Sequence, residues 1–155
     1  MLRAWLSFLL AAAGVFLIDQ NIKSLFLSGW RWESACLSLT LTFNRGVAFS
    51  MFAFLGSWLK WIQLALLFGV LAFVVRGGHL RKYAMPIGLL TGAGLSNIFD
   101  RFLHGGVVDY VAWHCGFDFA VFNFADVVID IAVAWILLIQ YLDHRGEQRE
   151  NLKDI

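Results

Sequence analysis

The run Trp58-Leu59-Lys60-Trp61-Ile62-Gln63-Leu64-Ala65-Leu66-Leu67-Phe68-Gly69-Val70-Leu71-Ala72-Phe73-Val74-Val75 decides the class of this protein. It is close to the roughly 20 apolar residues that a helix needs to cross ~30 Å of hydrocarbon. Working outward, comparable runs cover residues 4–27, 83–103 and 125–142. The reading is an all-α polytopic membrane protein with four transmembrane helices. The first run has Arg3 ahead of it and Ala11-Ala12-Ala13 within it, as a cleaved leader would. Its apolar character continues through Gly14-Val15-Phe16-Leu17-Ile18, so an uncleaved span is expected.

Composition agrees. Of 155 residues, 60% are hydrophobic and 15% charged, with a mean hydropathy of +0.72. An ordinary soluble domain carries about 25% charged residues. Twelve Lys and Arg against eleven Asp and Glu leave a net charge of +1. That balance excludes a nucleic-acid partner held by a basic face, and the apolar content excludes disorder. One Pro, Pro86, and the absence of a linker-like stretch give a single domain over residues 1–155, expected to act as a monomer. Cys36 and Cys115 are too few for a disulfide framework and too far apart for a zinc motif, and are expected as free, buried thiols.

Lys and Arg in the short loops set the orientation. Arg76, Arg81 and Lys82 lie between the second and third runs, Arg145, Arg149 and Lys153 follow the fourth, and Arg3 precedes the first. Residues 28–57 hold only Arg31 and Arg45. Both termini are therefore expected on the cytoplasmic side. Trp30, Trp32, Trp58 and Trp113 then fall at the outer boundary as interfacial anchors. In the first outer loop, Leu37-Ser38-Leu39-Thr40-Leu41-Thr42-Phe43 alternates with period two before the turn-like Asn44-Arg45-Gly46, which predicts a strand in a small extracytoplasmic sheet.

Ionisable groups in a span cost about 2.5–3.5 kcal/mol each at the helix centre, yet several gather toward the outer ends. Asp19 and Lys23 share a helix face at i, i+4, and Asn97, Asp100 and Arg101 fall at i, i+3, i+4. Asn123 precedes Asp126 by three, Asp130 follows it by four, and Asp109 lies after Gly105-Gly106. A packing reading covers most of them: ion pairs for Asp19–Lys23 and Asp100–Arg101, a helix cap for Asn123 to Asp126, a basic partner for Asp130. Asp109 and Asp126 have no basic neighbour in sequence. Two such acids on one boundary suggest a carboxylate pair sharing a proton, one member activating water and the other polarising a carbonyl. No serine nucleophile motif is present, and His104 and His114 lack the spacing of metal ligands. The residues favour an aspartic hydrolase. A proton or ion conductor built on the same acids, a scaffold whose acids only pair helices, and a lipoprotein modified at Cys36 in Ser34-Ala35-Cys36 are the alternatives.

Four blocks in order resemble the prolipoprotein signal peptidases, the signal peptidase II family: Asp19-Gln20-Asn21-Ile22-Lys23; Phe43-Asn44-Arg45-Gly46-Val47-Ala48-Phe49-Ser50; Asn97-Ile98-Phe99-Asp100-Arg101 with Gly106-Val107-Val108-Asp109-Tyr110; and Phe122-Asn123-Phe124-Ala125-Asp126. The resemblance implies four membrane helices with a β-rich extracytoplasmic cradle. It implies an aspartic endopeptidase that needs no metal or other cofactor. Such an enzyme would remove signal peptides from bacterial prolipoproteins just before a diacylglyceryl-modified cysteine, at the outer leaflet of the cytoplasmic membrane. Asp109 and Asp126 would be the catalytic pair. Asn44, Asn97, Asp100, Arg101 and Asn123 would hold the pair or the substrate, with Asp19 and Lys23 in support. Lipidated precursors and membrane lipids are the implied partners. Four positions depart from the family pattern: Ser96 where Gly is usual, Tyr110 for Phe, Val127 for a small polar residue and Val47 for Ala. Ser96 is expected to alter helix packing, and the Tyr110 hydroxyl to need a partner.

Overall fold

A computed structural model describes residues 1–47, 51–117 and 119–151. Ala48, Phe49 and Ser50 of the second block, and Lys153 of the basic tail, lie outside them. The chain forms helix α1 (Leu2–Leu27), strands β1 (Trp32–Glu33) and β2 (Leu37–Asn44), helices α2 (Trp58–Arg76) and α3 (Leu80–His104), strand β3 (Val107–Trp113) and helix α4 (Phe124–Asn151). Each predicted apolar run is helical. The last helix continues well past residue 142, because loss of hydropathy ends a span without ending a helix.

Among the described residues, three helices are long and apolar enough to cross a membrane: Leu2–Leu27, Trp58–Arg76 and Phe124–Gly146. Helix α3 is as long, at 25 residues, but its mean hydropathy is lowered by the half-buried Asn97 and by Thr91, Ser96, Asp100 and Arg101, which it buries against its neighbours. It is the central helix. Its partner α1 comes close because Gly88 and Gly92 present no side chain: a Cβ on Gly92 would stand 2.3 Å from the Ala12 carbonyl oxygen. This stripe of small residues four apart allows near backbone contact between membrane helices. Ser96 extends the stripe at the same spacing rather than disturbing it. Helices α2 and α3 form a hairpin through Gly78, whose φ of +69° closes the turn while His79 N–H reaches back to the Val74 carbonyl at 3.0 Å.

The predicted strand is β2, the middle of an antiparallel sheet ordered β1-β2-β3. Its alternation does not produce alternating burial; nearly the whole strand is half-buried. The register explains this. Leu39 pairs with Val111, but Thr42 pairs with Asp109, so one extra residue is inserted on β2 opposite Tyr110. Directly paired residues share a sheet face, so the bulge moves Thr42 and Asn44 onto the face of Leu37, Leu39 and Asp109.

The cysteines correct the sequence reading. Cys36 and Cys115 form a disulfide, with Cα atoms 4.4 Å apart across a separation of 79 residues. Pairing of Leu37 with Trp113 brings them together, which spacing alone does not reveal. It also removes Cys36 as a lipid acceptor. Trp30, Trp32, Trp58 and Trp113 are all exposed.

Candidate active site

Asp109 sits mid-strand in β3 and is 1% exposed. Asp126 lies in the first turn of α4. After β3 the chain folds back on itself, with Phe122 N–H donating to the Val111 carbonyl at 3.1 Å, and this return delivers Asn123 beside Asp109. Asn123 caps α4 reciprocally: its Oδ1 accepts from Asp126 N–H at 2.9 Å, and Asp126 Oδ2 accepts from Asn123 N–H at 3.1 Å. The capping reading of these residues is therefore correct, and it does not exclude a chemical one. The Asn123 amide also donates to Asp109 Oδ1 at 2.7 Å, so one residue donates to both carboxylates, through its side chain to Asp109 and its backbone N–H to Asp126.

The remaining residues fix these two. Lys23, 1% exposed, spends its three donors on Asp19 Oδ2 at 2.6 Å, Asp100 Oδ2 at 2.7 Å and Asn97 Oδ1 at 2.9 Å. With its oxygen turned to Lys23, Asn97 presents its NH₂ to Asp126 Oδ1 at 2.9 Å. Asp100 accepts the Val108 N–H at 3.1 Å and Asp19 accepts the Ala125 N–H at 3.0 Å. Each acid thus holds the backbone immediately before one candidate catalytic residue, and both are paired with the same lysine. Arg101 donates to the carbonyls of Asn44, at 3.4 Å, and Gly46, and its charge attracts Asp109, Asp126 and Asp100. It tethers the turn after β2 and does not form the helix-end pair with Asp100 that adjacency suggests.

Asn44 fixes the same turn, accepting the Gly46 N–H at 3.0 Å, and hydrogen-bonds to Asp109. Burial first, and the charge of Asp126 second, push the Asp109 carboxyl up to about 7, against the pull of Asn44, Asn123 and Lys23. Tyr110, the departure expected to need a partner, accepts the Phe124 N–H at 3.0 Å while its ring stacks on Phe26 at 4.2 Å.

Asp109 and Asp126 open onto one cavity of about 540 Å³, whose walls include Asn44, Asn97, Arg101 and Val127. Asp130 lines it one turn deeper and forms no ion pair among the described residues. The sequence does not single out Gln20, whose amide donates to Asp100 Oδ1 and Ser96 Oγ, both at 2.8 Å. Nor does it foresee that the Ser96 hydroxyl donates to Asp19 at 2.6 Å. A polar pair within two apolar runs was the available signal, but their mutual contact exists only once α1 and α3 pack.

A profile of signal peptidase II matches residues 11–142. The chain belongs to the signal peptidase II family. That makes it a peptidase and a bacterial membrane protein. It is 61% identical to the lipoprotein signal peptidase of Sulfurovum sp. (strain NBC37-1) over 90% of this chain and 96% of that one. To the lipoprotein signal peptidase of Helicobacter pylori (strain ATCC 700392 / 26695) it is 49% identical, over 91% and 93%. Among solved structures, a bacterial membrane enzyme determined by the in meso method at 2.3 Å superposes with a TM-score of 0.77 at 26% identity, covering 90% of both chains.

Proposed function

We propose that the protein removes signal peptides from diacylglyceryl-modified prolipoproteins, hydrolysing the bond just before the lipidated cysteine with Asp109 and Asp126 as the catalytic pair. The observation that carries this reading is the shared position of the two acids. They come from different elements, open onto one cavity and are joined through Asn123. In this reading Asp109 holds the shared proton and polarises the scissile carbonyl, while Asp126 takes a proton from the attacking water. The tetrahedral intermediate collapses as Asp126 returns that proton to the leaving amine. The pair titrates as a unit.

Helix α3 serves as the fourth span in this reading, shielded from lipid by its neighbours, with both termini cytoplasmic and the sheet against the outer leaflet. Acyl chains left in the membrane then contribute about 0.8 kcal/mol per buried CH₂ to substrate affinity. A proton conductor needs groups arrayed along the spans, whereas Asp19, Lys23, Asn97, Asp100, Asp109, Asn123 and Asp126 form one connected cluster.

Asp109→Asn and Asp126→Asn are each expected to abolish cleavage of a purified lipidated precursor while the variants remain folded, and unlipidated precursor is expected to be a poor substrate. Near-normal turnover by either variant removes that residue from the pair. Equal cleavage of both precursors defeats the lipid requirement.

A further inference from the structure

Among the described residues, two buried side-chain polar atoms lack a hydrogen-bond partner: Gln63 Oε1 and Arg101 Nε. Both residues line the cavity that holds Asp109 and Asp126. Buried polar atoms are almost always paired, so an exception calls for a reason, and in a membrane span the penalty for leaving one bare is greater. Helix packing supplies none for Gln63. It stands on α2, where only Leu59 and Val74 are buried, and no neighbouring helix engages its carbonyl oxygen.

The two bare atoms have opposite capacities, since Gln63 Oε1 accepts and Arg101 Nε donates. An ester carbonyl of the lipid, which only accepts, satisfies Arg101 and leaves Gln63 bare. A peptide unit, with one N–H and one C=O, satisfies both. We propose that Gln63 is a substrate-binding residue whose Oε1 accepts a main-chain N–H of the signal peptide, while Arg101 Nε donates to a main-chain carbonyl of the same strand. The proposal rests on the peptidase reading and adds α2 to the elements that recognise substrate. Contact through the main chain holds any signal peptide of suitable shape, whatever its side chains.

The test uses the full-length protein in lipid nanodiscs and a diacylglyceryl-modified peptide spanning the cleavage site. A matched series replaces each backbone amide near the scissile bond, in turn, by an ester that lacks the N–H. Kd is measured alongside kcat and KM. Gln63→Leu is expected to weaken binding of the all-amide peptide about tenfold, in KM rather than kcat, with Gln63→Glu, which keeps an acceptor, retaining most of it. One ester peptide should lose the same factor on the parent protein and nothing further on Gln63→Leu. Thermal unfolding of Gln63→Leu should match or exceed the parent, because a bare polar atom is removed. Unchanged binding by Gln63→Leu, or an equal loss on every ester peptide, overturns the proposal even if cleavage proceeds normally. Binding without cleavage by the parent defeats the hydrolase reading and leaves the Kd comparison to judge Gln63. Failure of the parent to bind at all defeats both.

Discussion

Replacing Lys23 strands Asp19 and Asp100 where almost no solvent reaches, since the three side chains are 1%, 0% and 1% exposed. Removing one partner from a buried ionic group costs about 3–5 kcal/mol, so Lys23→Met should unfold in that range below the parent by chemical denaturation. Adding Asp19→Asn should recover part of the loss; a loss under about 1 kcal/mol for Lys23→Met would show that the carboxylates are not held as described. Asp109 makes a separate prediction. A carboxyl raised to about 7 binds more protons in the fold than in the unfolded chain, where about 4 is usual. Its contribution to stability is thus fully present below about pH 4 and lost as pH rises through 7. The groups facing it are Asp126, Lys23, Arg101, Asn44 and Asn123. Thermal unfolding of the parent should fall from pH 5 to 8 more steeply than that of Asp109→Asn, and cleavage should decline above pH 7 as the shared proton is lost. Parallel stability profiles would refute it. The convergence of Asp109 and Asp126 on one cavity was legible in the sequence because they lacked basic neighbours there. Ser96 and Gln20 were not, since their roles arise from contacts 77 and 80 residues apart.

Helices α1 and α3 bring Lys23 to Asp100 only if their backbones nearly touch. Gly92→Ala drives a methyl into the Ala12 carbonyl, whereas a Cβ at Gly94, on another face of the same helix, meets Leu67 no closer than 3.7 Å. Overpacking costs about 1–3 kcal/mol, so Gly92→Ala should lower both stability and turnover while Gly94→Ala leaves both within error. Equal behaviour of the two variants in thermal unfolding and cleavage assays would exclude the close approach as a determinant of the site. Element identity was readable from periodicity, with four apolar runs and one alternating stretch all in place. The phase of β2 was not. Nothing in Leu37 to Phe43 marks an inserted residue, and a bulge reverses which side chains face Asp109. Asn44 reaches the face of Asp109 through that irregularity.

For the molecule in its membrane, Lys and Arg counts predict the sheet outside and both termini inside. A membrane-impermeant thiol reagent should label a cysteine introduced at Ser38, in a Cys36→Ser/Cys115→Ser background, on intact cells. Labelling only after the cytoplasmic face is opened would invert the topology. The disulfide agrees with an outside location, because such bonds persist in oxidising compartments. Charge counting needs no contacts, so the sequence alone yields an expected orientation; the cysteine pairing needed the sheet register. That bond closes a covalent ring running from residue 36 through α2 and α3 to residue 115. On this topology the ring cannot shut until α3 has inserted and Cys115 has crossed. Oxidised chains are then those whose middle helices are already in place, and the redox state of one cysteine pair becomes a clock for the biogenesis of the enzyme.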